Sequence, residues 1–572
     1  MPLSFKNEND FQWSLKKIVV IGPGIVGMPM AALLAHARIR EGSSEPAKVL
    51  VLQRNSRNSG WKVDAINSGK SVIGGVEPAL DDIVADSVKA GVLSASHDYS
   101  KGADADMVLV CVQTDKDGFG PDYGPLFEAL EGLAVALKSK PAGNIPVICF
   151  ESTLAPSSMA TLVKDYFAKH GLIEGRDILL GNSPNRVMPG RLVERVAASD
   201  KLVAGLHPLT PKLIQRVYSR IVTRGKLHAT NSMTAEVVKT LENAYRDVRI
   251  AFAAEVVRYC DANDIDFFAL RDAVNARISQ SDAASASATA VPSGGVLVPT
   301  VGVGGHCLPK DGILLWWRMI ESGADTSHSL ILESRKINDD SPAQTVALAE
   351  KAIGSIAGKR IALLGTAYRF DSEDTRNSPT LYLAKLLLGK KCNVRIHDPY
   401  VKGDDQNLRK FGLTEYFTND LAKSLEGAEV VFICTGHAAY GKALADIKKL
   451  AGSAKLIVDG ANVFRATDFP AGGPKYVGIG RGTRKPREEL VRYVEQRFRD
   501  MEAGVGNEVN SLIEFLNGRY AGDQFNRVQF EAVQRIAATC PTGCAIASPA
   551  AVRRPAAFEG FESRLVTCAV NG

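Results

Sequence analysis

IVVIGPGIVGMPMAALLAHAR, residues 18–38, sets the architecture: a short apolar run of strand character passes through Gly22, Gly24 and Gly27 into a run with helical spacing. Glycines spaced G-x-G-x-x-G between a strand and a helix form a dinucleotide-binding turn. The first glycine permits the tight bend and the second lets backbone approach a pyrophosphate. The third lets the helix lie close on the strand, with its first amides facing the phosphates. Without that context the spacing is a common structural turn. Further along, VLVL at 49–52, MVLVCV at 107–112 and PVICFES at 146–152 repeat the rhythm, each strand-like run being followed by a longer helical stretch. Such alternation specifies a parallel sheet with crossover helices. The second strand ends at Gln53, where an acidic residue would usually bond the adenosine ribose, and Arg54 and Arg57 follow. NAD is the expected cofactor, with Gln53 as a neutral ribose partner, and the two arginines make NADP the alternative.

From about Thr230 the pattern becomes one long helical segment, TNSMTAEVVKTLENAYRDVRIAFAAEVVRYCDAN, with apolar residues three and four apart. A helix of that length predicts a connecting element and a surface for self-association. The Ala/Ser run SDAASASATA at 281–290 has too little apolar content to pack and reads as a mobile loop. A second alternating set begins at KRIALLG (359–365) and continues through VRIHDP, VVFICTG, KLIVDG and YVGIG. The fold class is therefore α/β, with two Rossmann-like doubly wound parallel sheets joined by a long central helix. Four segments are expected: 1–228 binding NAD, 229–335 helical with the cysteine loop, 336–485 the second Rossmann-like domain, and 486–572 an extension. That extension begins as an amphipathic helix and then turns Ala-rich, a composition that predicts disorder near its end.

A chain of 572 residues is too long for one core and divides into domains. Its 45% hydrophobic and 23% charged residues exclude a disordered chain, and its net charge of +6 comes from scattered Lys and Arg, so no nucleic-acid partner is expected. The N-terminal stretch MPLSFKNENDFQWSLKK is polar and no apolar run reaches membrane-spanning length, so the expectation is a cytoplasmic protein without a membrane partner. Of the nine cysteines, Cys111, Cys149 and Cys434 lie in apolar runs and read as reduced core residues. Cys540 and Cys544 in CPTGC are too few to form a zinc site, and no metal is expected.

Cys307 differs from the other cysteines. In VGVGGHCLPKD (301–311) it follows a glycine cluster and precedes Lys310 and Asp311. The glycines leave room for substrate against backbone, and a neighbouring ammonium favours thiolate. His306, adjacent to it, is read as a substrate-shaping or packing residue, or as a base. Lys239 and Asn243 lie four apart and so share one face of the long helix.

The glycine fingerprint, ESTLAPSS, SPNRVMPG, AEVVKTLENAYRD, GVGGHCLPKD and DSEDTRNSP occur here in the order that characterises the UDP-glucose/GDP-mannose dehydrogenase family, which the chain resembles over roughly residues 15–485. The resemblance implies two Rossmann-like domains around a central helix that forms a homodimer or higher homo-oligomer, with the active site between the domains. It also implies a UDP-sugar substrate whose C6 alcohol is oxidised through four electrons to a carboxylate, a product used in bacterial polysaccharide or glycan assembly. On this pattern Cys307 is the nucleophile that captures the aldehyde and becomes a thioester, and Asp311 activates water. Lys239 and Asn243 steady the oxyanion, and Thr153 holds the hydrolytic water. Thr114, Glu151, Lys310 and Arg376 fall on the cofactor side, and Arg186, Gly304, Gly305, His306 and Arg369 on the substrate side.

Three departures from the pattern stand out. Asn185 replaces a glutamate linked to acyl transfer, Arg369 replaces a lysine, and Ala461 in DGANVF replaces an arginine. An amide cannot accept a proton as a carboxylate does, so Asn185 is expected to orient water. GGHC with SPxRVxPG points to a UDP-N-acetylhexosamine, and PKD after the cysteine to UDP-glucose; the first is preferred. Two rival readings remain open at this level, a catalytically impaired nucleotide-sugar-binding or regulatory protein and a two-electron hydroxyacid-type dehydrogenase. The second apolar βα set argues against the latter.

Overall fold

In the computed structural model each of the two expected sheets is built from strands whose alternate residues enter two different cores. The structure describes residues 13–57, 59–74, 77–187, 190–284, 294–469, 472–552 and 557–571. Contacts divide the chain into two units. One takes residues up to 242 together with 314–324 and 509–544, and the other takes 243–313, 325–508 and 545–572. Neither unit is continuous in sequence, so the four expected segments do not map onto them one by one.

The first unit holds β1 (Lys17–Ile21), β2 (Lys48–Leu52), β3 (Leu93–Ser96), β4 (Met107–Val110), the hairpin β5 (Asp115–Asp117) and β6 (Gly120–Asp122), then β7 (Val147–Phe150), β8 (Leu179–Asn182), β9 (Lys201–Gly205) and β10 (Leu227–Asn231). Apart from the hairpin they form one sheet in the order β10-β9-β8-β7-β4-β1-β2-β3, parallel except where β8 meets β9. Ile18 and Val20 point to one core while Val19 and Ile21 point to the other, as a parallel sheet covered on both faces requires. The strand order reverses between β1 and β4, which places the crevice for a dinucleotide at their carboxyl ends.

The second unit holds β11 (Arg360–Leu364), β12 (Asn393–His397), β13 (Phe417–Thr418), β14 (Val430–Ile433), β15 (Leu456–Asp459) and β16 (Lys475–Gly478), all parallel in the order β13-β12-β11-β14-β15-β16. Ile361 and Leu363 enter one core, Ala362 and Leu364 the other.

The central helix runs without a break from Ser232 to Ala262. It starts where the Asn231 side chain accepts from the Thr234 amide at 2.8 Å, and beyond it Asp264 takes a φ of +54°, a left-handed turn that stops the helix. Two expectations are corrected. Residues 281–284 continue the helix Phe267–Ala284 rather than joining a loop, while 285–290 lie outside the described residues. Among the described residues the extension forms three helices, Glu488–Tyr520, Phe530–Ala537 and Arg564–Asn571, where disorder was expected near its end. In the first of them Phe498, Met501, Val505, Val509 and Leu512 are buried at three- and four-residue steps, so the helix has an apolar stripe to bury whatever its alanine content.

Candidate active site

In the first unit the glycine loop has the geometry that the fingerprint calls for. Gly22 adopts φ +87° and its amide is bonded by the Leu52 carbonyl, which bends the chain sharply off β1. A side chain at Gly27 would stand 2.2 Å from the Gly22 carbonyl oxygen, so only glycine allows the helix to approach. At Gly24, by contrast, an added Cβ would meet no atom of the described residues beyond its chain neighbours within 4 Å. Space kept open beside bare backbone, next to a helix N-terminus, fits a pyrophosphate. Gln53 sits at the end of β2, its side-chain amide donating to Ser59 Oγ at 2.9 Å and to the Arg54 carbonyl at 3.1 Å. Arg54 forms an exposed ion pair with Glu128, which draws its guanidinium to a carboxylate of the chain.

Around the carboxyl end of β7 the chain builds a buried polar cluster. The sequence assigns Glu151 to the cofactor; the structure instead engages its carboxylate inside the protein. Lys201 Nζ donates to it at 2.6 Å, Tyr218 Oη at 2.5 Å, and Asn185 Nδ2 at 3.4 Å. Burial pushes the Tyr218 hydroxyl well above its ordinary value, with the nearby Cys149 and Glu151 adding to the rise, so the phenol stays a donor. Thr114, also buried, donates to the Thr153 carbonyl at 2.6 Å and so fixes the turn after β7 that carries Thr153. Asn185 therefore lies beside a carboxylate, although it does not supply one.

Arg186 also departs from its expected place on the substrate. Its guanidinium is buried, pairs with Glu242 of the central helix, and donates to Thr539 Oγ1 at 2.9 Å and the Ile536 carbonyl at 3.2 Å. With the Asp200 carbonyl at 3.4 Å, four acceptors of the chain take up its amino groups. Lys239, one turn before Glu242 on that helix, is buried.

The cysteine loop belongs to the second unit. Cys307 is exposed and caps the helix Leu308–Glu321: its carbonyl accepts from the amides of Lys310 at 3.1 Å and Asp311 at 3.0 Å. Pro309 is tolerated there because the first helical amides have no partner within the helix. A helix N-terminus favours negative charge, which suits a thiolate. The glycines before it are tied to packing. A side chain at Gly304 would come within 2.5 Å of Tyr368 Cβ, and Gly305, at φ +90°, donates its amide to the Arg376 carbonyl at 2.8 Å while its own carbonyl accepts from Asn377. Tyr368 thus lies against the loop that presents Cys307, a neighbour the sequence did not reveal. Arg376 pairs with Asp374, a contact that holds the guanidinium charged above its ordinary range. Arg369 stacks near the exposed Phe370, 5.7 Å from its ring centre, and His306 is half-buried.

One turn into this helix Asp311 is fully buried, with Asn243 Nδ2 donating to one oxygen at 2.6 Å and Lys310 Nζ to the other at 2.7 Å. A buried ion needs such partners. This changes the reading of Lys310: its buried ammonium is committed to Asp311 instead of to cofactor. In unit two the structure thus brings Cys307, Lys310, Asp311, Asn243, Gly304, Gly305 and Arg376 into one neighbourhood. In unit one it gathers Thr114, Thr153, Glu151 and Asn185. Lys201 and Tyr218 were not singled out from sequence, because a lysine in the apolar strand KLVAG and a tyrosine in a helix carry no local sign of meeting Glu151.

Comparison with known proteins gives matches along most of the chain. The models of the UDP-glucose/GDP-mannose dehydrogenase family match at 16–222 (NAD binding domain), 233–340 (central domain) and 362–466 (UDP binding domain). A UDP-N-acetyl-D-mannosamine dehydrogenase of Pyrococcus horikoshii is 29% identical over 470 residues, 82% of this chain and 99% of its own length. The enzyme of that name from Campylobacter jejuni is 30% identical over 432 residues, covering 74% of this chain and 95% of its own. Among solved structures, an NDP-N-acetyl-D-galactosaminuronic acid dehydrogenase from Methanosarcina mazei superimposes with a TM-score of 0.69 at 32% identity, over 82% of this chain and 96% of its own.

Proposed function

The chain belongs to the UDP-glucose/GDP-mannose dehydrogenase family and is an NAD-dependent UDP-sugar dehydrogenase, and from that premise we propose that it oxidises the C6 alcohol of a UDP-N-acetylhexosamine to the uronate. The observation that carries the chemistry is Cys307, exposed at a helix N-terminus one turn before the buried Asp311–Asn243 contact. NAD, held by the Gly22–Gly27 loop, would supply the acceptor for one hydride from C6 in each of two rounds. Between rounds the Cys307 sulfur adds to the aldehyde carbon, and the carbonyl oxygen takes a proton to give a thiohemiacetal. Loss of the second hydride leaves a thioester. Water then attacks the acyl carbon, the C–S bond breaks, and the sulfur departs as thiolate. One alcohol, one water and two oxidised cofactors thus give one carboxylate, two reduced cofactors and three protons.

Lys239 and Asn243 donate to the oxyanion formed at each addition. Asp311 takes the proton of the attacking water, which Thr153 and Asn185 orient. Gly22, Gly24 and Gly27 would hold the pyrophosphate, Gln53 would meet the adenosine ribose, and Thr114 and Arg376 would serve the cofactor side. Gly304, Gly305, His306 and Arg369 border the sugar nucleotide. Glu151 and Arg186 act beneath this layer, holding the loops in place through buried pairs. All nine cysteines are free, which fits a reducing compartment and supports a cytoplasmic enzyme.

The test is to offer the enzyme NAD with UDP-N-acetylmannosamine, UDP-N-acetylglucosamine, UDP-N-acetylgalactosamine, UDP-glucose and GDP-mannose, counting reduced nicotinamide per sugar consumed. Two per sugar with an N-acetylhexosamine is the expected result. Two per sugar with UDP-glucose alone would overturn the substrate assignment, and one per sugar would overturn the four-electron course.

A further inference from the structure

The central helix carries a stripe at seven-residue steps, Tyr245, Phe252 and Tyr259, with Glu255 beside it. A seven-residue step keeps a stripe aligned with a second helix, and the usual occupant of such a seam is another helix. Here the extension occupies it along its length. Tyr245 Oη bonds Glu502 and the Ala545 carbonyl, both at 3.0 Å. Phe252 meets Phe498 edge to face at 5.6 Å, and Tyr259 stacks on Phe561 at 5.0 Å. Because Tyr245 meets the later residue and Phe252 the earlier one, the two helices run antiparallel. The carboxylate of Glu255, buried in the seam, is closed by Ser563 Oγ at 2.8 Å and the Arg564 amide at 2.7 Å.

Other features show that this cover is built to shape. A side chain at Gly504 would come within 2.5 Å of Ala569 Cβ, and one at Gly506 within 2.3 Å of the Ala547 carbonyl, so the extension folds back on its own long helix at glycine-only spacing. The C-terminal helix packs along Leu330–Ile353, where Arg564 pairs with Glu333. Glu508 accepts from Ser329 Oγ and the Leu330 amide, capping that same helix. Two relatives are matched almost end to end while about a fifth of this chain lies outside each match, and the family models reach no further than residue 466.

We propose that residues 486–572 are a built-in partner for the central helix, so that this chain works as a monomer whose Tyr245–Phe252–Tyr259 seam would otherwise recruit a second copy of itself. The extension then takes the place of the dimer anticipated from the length of the helix. An apolar, glycine-fitted contact of this kind has the character of an obligate interface, supplied here in the same chain.

Light scattering on the full chain, with and without NAD, should give the mass of one 572-residue chain across a wide concentration range. A two-chain mass, including one produced by exchange of extensions between copies, overturns the proposal. The cause is tested in Ser563→Asp/Arg564→Glu, which sets carboxylates against Glu255 and Glu333 far along the sequence from Cys307. Hydrogen exchange over 488–508 should rise and the mass should climb towards two chains with concentration. Faster exchange without a mass increase would show that the seam does not self-associate, and unchanged exchange would show that Glu255 and Glu333 do not hold the extension down; either result contradicts the proposal.

Discussion

Two glycine-rich loops serve opposite ends. In Gly22–Gly27 the middle glycine faces a volume that none of the described residues fills, whereas in Gly302–Gly305 the glycines are pressed against Pro379, Tyr368 and Asn377. The first loop uses its outer glycines for packing and leaves space open at its middle one, whereas the second uses its glycines against the protein, to present the residue that follows them. Identical residue types with opposite surroundings show why a glycine cluster alone does not announce a binding site. What distinguishes the two is whether the space left behind is empty or filled.

Substitutions that add one methyl group at each loop probe that difference. The largest effect is expected for Gly304→Ala, whose new Cβ collides with Tyr368 Cβ at 2.5 Å and with the Asn377 carbonyl at 2.9 Å. Moving the Cys307 loop by about 1 Å should cost on the order of 10²-fold in kcat with little change in the KM for NAD. An unchanged kcat would mean that the packing behind Cys307 does not position it. Gly27→Ala comes next and acts on stability, because the methyl meets backbone at 2.2 Å and backbone cannot swing aside. A loss of about 1–3 kcal/mol by denaturant titration is expected, and a variant as stable as the parent would mean that the helix can lift off β1 without penalty. The smallest effect belongs to Gly24→Ala. Its methyl meets nothing in the protein, so Tm should hold or rise slightly while the KM for NAD rises about tenfold, or about 1.4 kcal/mol. A fall in Tm with unchanged KM would reverse the reading of that loop.

The fold was legible in sequence where a repeating pattern stood behind each element. Nine short apolar runs gave four strands of the first sheet and five of the second, and G-x-G-x-x-G gave the crevice, because these depend on neighbours within a few residues. The antiparallel pairing of β8 with β9 had no such local sign. Neither did the polar pairs that set the site: Glu151 with Lys201, Arg186 with Glu242, and Asn243 with Asp311 are separated by fifty residues or more. Lys310 illustrates the limit. Adjacent to Asp311 and three residues after Cys307, it read as a cation available for thiolate or cofactor, but burial obliges it to neutralise the neighbouring carboxylate. The extension misled through its alanines. Its helical spacing was visible, yet the seam it fills lies more than two hundred residues earlier, on a helix whose stripe made sense only once Phe498 and Phe561 were placed against it.

The covalent course through Cys307 is tested most directly by intact-mass analysis of Asp311→Asn, mixed with NAD and the preferred UDP-sugar, quenched and mapped by peptide. With the base that activates water removed, hydrolysis should slow by about 10²–10⁴-fold, and the acyl sugar should accumulate on the peptide containing Cys307. The same mixture made with Cys307→Ala should form no adduct and no uronate. Uronate production by Cys307→Ala at the parent rate, with no adduct on any variant, would contradict the mechanism at its root.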